Sequence, residues 1–186
     1  QQNMKKCAKM NEIENNLQWG KVFWITGLAG AGKTTFGKLL LERIKQEKEK
    51  VIFLDGDDLR NSICADLGYS AMERKKCGFR YSKLCGLLAG QGFDVVCCTI
   101  SMFEEIRMRN RTSFPKYCEI YMKTDLEILY TRNQKELYKS ESRTIDNVVG
   151  IDVKYEEPEC PDYTILTCMR QDLKDYVEKI MREVYI

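Results

Sequence analysis

Val22-Phe23-Trp24-Ile25-Thr26-Gly27-Leu28-Ala29-Gly30-Ala31-Gly32-Lys33-Thr34-Thr35-Phe36 is the stretch on which the fold turns. Val22 to Thr26 is a short apolar run, as expected of a buried strand. After the glycines, Phe36, Leu39, Leu40 and Ile44 recur at helical spacing, which predicts a helix from Lys33 to about Glu47. Between them, Gly27 to Thr34 fits G-x-x-x-x-G-K-[ST] without a gap. Glycines let the backbone turn its N–H groups toward phosphate oxygens, and the helix N-terminus adds a favourable dipole. Lys33 can reach the terminal phosphates, and the Thr34 hydroxyl suits Mg²⁺. The alternative is a chance glycine-rich turn, but the strand before it and the helix after it favour a phosphate loop. The nucleotide set is therefore Gly27, Leu28, Ala29, Gly30, Ala31, Gly32, Lys33 and Thr34. Thr35 reads equally as a helix-start cap, a core contact or a nucleotide contact.

Outward from this stretch, strand-like and helix-like segments alternate. Val51 to Leu54 reads as a strand closed by Asp55-Gly56-Asp57-Asp58, and Phe93 to Ile100 and Tyr117 to Met122 as two more. Ala71 to about Ala89 and a segment from about Asp125 read as helices, and Tyr163 to Thr167 as the last strand. Leu173, Tyr176, Val177, Ile180, Met181 and Val184 mark a final amphipathic helix. Strands spaced by helices imply a five-stranded parallel α/β sheet covered on both faces. Residues 1–18 read as a polar tail and residues 19–186 as one domain. A polar stretch at about 133–155 is a candidate lid.

The 186-residue length suits one domain. With 44% hydrophobic and 31% charged residues, the composition is that of an ordinary soluble globular protein. A net charge of +2 gives no reason to expect nucleic-acid or membrane binding. The chain has no histidine, which removes Ser–His and Cys–His catalysis and imidazole metal ligands. Its nine cysteines show no C-x-x-C spacing, so they read mostly as reduced, buried apolar residues of a cytoplasmic protein. No signal peptide is visible. The apolar zone from Leu84 to Phe103 is broken by Asp94 and three glycines, too interrupted to span a bilayer.

A GTPase switch would carry D-x-x-G and N-K-x-D, and neither pattern occurs. The strand from Phe93 to Ile100 ends without an aspartate. The acids stand at the end of the Val51 strand instead, as Asp55 and Asp57. With the Val22 and Val51 strands as neighbours, that end would face the phosphate loop. A carboxylate there can order the Mg²⁺ shell and accept a proton from a substrate hydroxyl, as in-line phosphoryl transfer requires. Helix capping by Asp57 or Asp58 is the plainer alternative.

Taken together, these segments resemble the adenylylsulfate kinase family. The resemblance rests on Trp24-Ile25-Thr26-Gly27-Leu28, the phosphate loop, and Leu54-Asp55-Gly56-Asp57-Asp58-Leu59-Arg60. It extends through Asp66-Leu67-Gly68-Tyr69-Ser70, Ile100-Ser101 with Arg107, Leu137-Tyr138-Lys139, and Gly150-Ile151-Asp152 with Tyr155-Glu156 and Pro158. It covers about residues 17–168. It implies transfer of the ATP γ-phosphate to the ribose 3′-hydroxyl of adenylyl sulfate with Mg²⁺, in a homodimer. On the resemblance, Lys33 and Thr34 hold ATP phosphates and Mg²⁺, Asp57 is the catalytic aspartate and a second metal-side oxygen, and Arg132 is a nucleotide-side arginine. Asp55, Arg60, Tyr69, Arg74, Ile100, Ser101 and Lys139 fall at acceptor positions. For Ser101 and Arg107, strand-end hydrogen bonding or a surface ion pair is an equal alternative.

The departures cluster on the acceptor side. Cys77 stands where the family has an acceptor-binding asparagine, and Phe79 where it has an arginine. Met102 replaces a proline, Asn133 and Glu136 replace Asp and Gly, and Val148 replaces the aromatic that clamps the acceptor adenine. Losing one stacking face costs about 1–3 kcal/mol, or ten- to a hundredfold in affinity. The resemblance therefore includes a variant branch that phosphorylates cytidine diphosphoramidate for capsule modification, beside plain drift in an adenylylsulfate kinase. A catalytically silent nucleotide-binding regulator is the non-enzymatic alternative, opposed by the intact Lys33, Thr34, Asp55, Asp57 and Arg60.

Overall fold

The structure, a computed structural model, describes residues 18–132, 149–150, 154–167 and 172–185. In chain order the elements are β1 (Val22–Thr26), α1 (Lys33–Lys45), β2 (Val51–Asp55), α2 (Gly56–Ile63) and α3 (Ala71–Gly90). They continue with β3 (Asp94–Thr99), α4 (Glu104–Ser113), β4 (Tyr117–Lys123), α5 (Leu126–Arg132), β5 (Tyr163–Leu166) and α6 (Leu173–Tyr185). The five strands form one sheet in the order β2-β3-β1-β4-β5, with every neighbouring pair parallel. This is the expected α/β architecture. The expected adjacency of β1 and β2 is corrected: β3 lies between them, pairing Thr99 with Thr26 on one side and Cys98 with Asp55 on the other. The strand order reverses around β1, and the carboxyl ends at that point open the crevice where ligands bind in such sheets.

Strand alternation divides the core. Phe23, Ile25, Val96 and Cys98 face α1 and α6, in a cluster with Phe36, Leu40, Val177 and Ile180. Val22, Trp24, Val95 and Cys97 face the other way, among Cys77, Tyr81, Cys85 and Ile106. Both faces are apolar, as a parallel sheet covered by helices requires. The neighbours Cys97 and Cys98 point to opposite faces because successive strand residues do so. The described cysteines are free thiols, all buried except Cys160. Among the described residues no helix is long and apolar enough to cross a membrane.

Two helices escape the periodicity reading. In α2 only Leu59 is buried, so no apolar stripe marks it. In α4 the buried face is Ile106, Arg107 and Asn110, two of the three polar. Arg107 is 2% exposed, so the ion pair offered as one of its alternatives lies in the interior and not on the surface. It contacts Glu104 and, at 3.5 Å, Glu119 on β4. Burial pushes the Glu119 carboxyl up, against the Arg107 and Arg111 charges. Removing one partner of such a pair strands the other charge in the interior. Glu119→Ala is expected to destabilise the fold by about 3–5 kcal/mol in urea unfolding. A loss below about 1 kcal/mol would show that Arg107 does not depend on it.

Candidate active site

The loop after β1 is shaped by its glycines. Gly27 has φ 149°, and a Cβ there would stand 2.5 Å from the Met122 carbonyl oxygen, so only glycine lets the chain leave the sheet beside β4. Gly32 caps α1 in the left-handed region at φ 88°, with no side-chain cap. The helix therefore starts with no acidic first turn and no capping side chain over its N-terminus, which suits an anion. Lys33 Nζ donates to the Leu28 carbonyl across the loop at 2.7 Å.

At the end of β2, Asp55 has two duties. One carboxylate oxygen accepts from the Thr34 hydroxyl at 2.7 Å, and the other accepts from the Asp57 backbone N–H at 2.9 Å, capping α2. The cap is thus Asp55, where sequence reading offered Asp57 or Asp58. The acid set on Thr34 is likewise Asp55, with Asp57 two residues on. A hydroxyl and a carboxylate in contact, with a second carboxylate lining the same cleft, are the hard oxygen donors Mg²⁺ takes. Gly56 holds α2 against β3: a Cβ there would lie 2.8 Å from the Cys98 carbonyl oxygen.

The far wall comes from α2 and α3. Arg60 donates to the Leu67 carbonyl at 2.7 Å, to the Gly68 carbonyl, and to the Cys77 sulfur. Its guanidinium carbon lies 4.4 Å from the Tyr69 ring centre, and that of Arg74 lies 5.2 Å away. Arg74 Nε donates to the Tyr69 carbonyl at 2.9 Å. Burial, with the nearby Arg60 charge, lowers the Arg74 pKa. A capping box between Ser70 and Glu73 starts α3 and so fixes Tyr69 beside both arginines. Burial, reinforced by the Cys64 contact, pushes the Cys77 thiol up to about 11, so it stays protonated near neutrality. The Thr99 and Ser101 hydroxyls bond to each other at 2.9 Å, and the Thr26 hydroxyl donates to the Ile100 carbonyl at 2.9 Å.

These groups line one cleft of about 590 Å³. It brings together Ala29, Gly30, Gly32, Lys33, Thr34, Thr35, Asp55, Asp57, Arg60, Tyr69, Arg74, Cys77, Ile100 and Ser101. Gly27, Leu28 and Ala31 of the same loop are buried and do not line the cleft. Arg132 closes α5, and Lys139 and Val148, with most of the expected lid, lie outside the described residues. Sequence reading missed Asn61, Tyr81, Phe103 and Lys154, which also line the cleft, as do Met102 and Tyr155, which entered that reading only through the family resemblance. Asn61 is one helical turn beyond Asp57, and Tyr81 one beyond Cys77, so a helix assigned over 56–63 would have exposed the first and spacing within α3 the second.

A phosphate loop that feeds the first sheet strand into a helix, facing carboxylates and guanidinium groups across a cleft, defines a phosphotransferase of the P-loop class. The adenylylsulphate kinase family model matches residues 19–166, and the chain belongs to that family; it is an ATP-dependent kinase. The cytidine diphosphoramidate kinase of Campylobacter jejuni is 40% identical over 164 residues, covering 88% of this chain and 95% of that protein. The adenylyl-sulfate kinase of Thermodesulfovibrio yellowstonii is 36% identical over 166 residues, covering 88% of this chain and 82% of its own length. Among solved structures, the Mycobacterium tuberculosis APS kinase in complex with AMPPNP and APS matches with TM-score 0.79 and 31% identity. That match covers 90% of this chain and 99% of the other.

Proposed function

We propose that this kinase transfers the γ-phosphate of ATP to the ribose 3′-hydroxyl of cytidine diphosphoramidate. The observation that carries the acceptor is the wall built on Arg60: the Cys77 thiol beside it, with Tyr69 as the aromatic face under two guanidinium groups. A thiol that stays protonated is a weak partner for a purine edge, and the family's asparagine is absent there. A smaller pyrimidine suits that wall. The 40% identity with a cytidine diphosphoramidate kinase supports the same choice.

In this reading ATP lies along Gly27 to Thr34, with Lys33 turning from the Leu28 carbonyl to the terminal phosphates. Thr34, Asp55 and Asp57 would hold Mg²⁺, which when bound neutralises phosphate charge. Asp57 takes the proton of the attacking hydroxyl, and Arg60 and Arg74 meet the acceptor's anionic link. A homodimer belongs to the same reading.

The test is turnover with Mg·ATP, followed by phosphorus NMR, with cytidine diphosphoramidate and adenylyl sulfate as rival acceptors. The cytidine compound is expected to win by at least about tenfold in kcat/KM, the size of one lost or gained base contact. Preference for adenylyl sulfate would return the protein to sulfate activation and make Cys77 tolerated drift. Mg·ATP binding with transfer to neither would leave a silent regulator.

A further inference from the structure

Four cations line the cleft, Lys33, Arg60, Arg74 and Lys154, against the two carboxylates of Asp55 and Asp57. Such an excess of positive charge suits a ligand pair with several anionic groups. Three of the four are already tied to backbone carbonyls: Lys33 to Leu28, Arg60 to Leu67 and Gly68, and Arg74 to Tyr69. Lys154 makes no hydrogen bond or ion pair among the described residues.

Its backbone is nonetheless well placed. The Glu156 N–H donates to the Met102 carbonyl at 3.1 Å, and the Glu156 carboxylate accepts from the Glu104 N–H. Glu157 pairs with Lys123 at 3.1 Å, and Tyr155 packs on the cluster of Leu28, Met102 and Tyr121. The segment is thereby pinned alongside the β3–α4 loop, whose residues Ile100 to Phe103 line the cleft. Arg60 and Arg74 reach in from α2 and α3, and Lys154 from this separate wall.

We propose that Lys154 is a further acceptor-binding residue, which holds the outer anionic group of a nucleotide carrying a diphosphate-like link. The inference rests on the reading above in needing such an acceptor, but not on which base it carries. The phosphate loop, with Lys33 and the α1 N-terminus, already serves the ATP phosphates, while Lys154 shares its wall with Ile100 and Ser101. A compact ammonium on a long stem brings a point charge and three rotatable donors to the oxygens of a terminal phosphoramidate or sulfate.

The wild-type enzyme first decides the acceptor, and the variants are then run with whichever of the two nucleotides it phosphorylates. Lys154→Met is expected to raise KM for that acceptor about tenfold, the size of one charge-assisted contact. The kcat and the KM for ATP should stay within about twofold, and Lys154→Arg should recover most of the loss. Inhibition by the matching nucleoside 5′-monophosphate, which lacks the outer group, should be unchanged in Lys154→Met. An unchanged acceptor KM, a raised KM for ATP, or equally weakened inhibition by the monophosphate would each overturn the assignment. Wild-type preference for adenylyl sulfate would sink the cytidine reading alone. Turnover of neither acceptor would overturn both.

Discussion

Asp57→Ala is expected to lower kcat by about 10²–10⁴, the usual worth of a positioned proton acceptor. Nucleotide affinity measured without Mg²⁺ should stay within a few-fold, because the phosphate loop does not include this side chain. The substitution leaves the helix cap in place. Asp55 caps α2 through the backbone N–H of residue 57, and alanine keeps that N–H. Single-turnover transfer with saturating Mg·ATP separates the outcomes: undiminished transfer removes Asp57 from the chemistry. A loss of ATP binding would instead place it on the nucleotide side. Asp55→Ala is the informative contrast, since it deletes both the cap and the partner of the Thr34 hydroxyl.

Lys33→Met should be the other severe variant. Removing one preorganised donor to the transferring group typically costs about 10²–10³ in kcat. Lys33 opens α1, and its ammonium donates to the Leu28 carbonyl at 2.7 Å. Methionine keeps the stem, so the fold should be unchanged. Equilibrium binding of AMPPNP beside steady-state kinetics reads the result. A kcat within about threefold of wild type would mean that the loop amides and Mg²⁺ carry the charge without it.

Local backbone chemistry and burial explain why part of this is legible in the sequence. The phosphate loop is contiguous, and its chemistry depends on local backbone freedom, so Gly27 to Thr34 announce themselves. Strands β1 and β3 and helix α6 show their period because they bury apolar faces. Helix α2 does not, since it exists to carry Asp57, Arg60 and Asn61 to a cleft and buries only Leu59. Helix α4 hides for a different reason: an arginine and an asparagine take the places where apolar residues would mark the pattern. Arg107 Nη1 and Asn110 Nδ2, buried polar atoms with no hydrogen-bond partner among the described residues, lie on that face.

The acceptor side shows the same division. That Cys77 departs from the family pattern is visible in the residue itself. That its sulfur meets Arg60 depends on α2 and α3 crossing, which brings together residues 17 apart.

The sequence by itself determined the class of reaction, because a phosphate loop and its following helix are one local unit whose residues must be neighbours in the chain. Only the tertiary structure decided which carboxylate meets Thr34, where the Arg107 charge is hidden, and that Lys154 stands in the cleft wall. Those contacts cross the sheet, and their partners are chosen by strand order. With β3 placed between β1 and β2, the strand ends that neighbour one another could not be read from spacing.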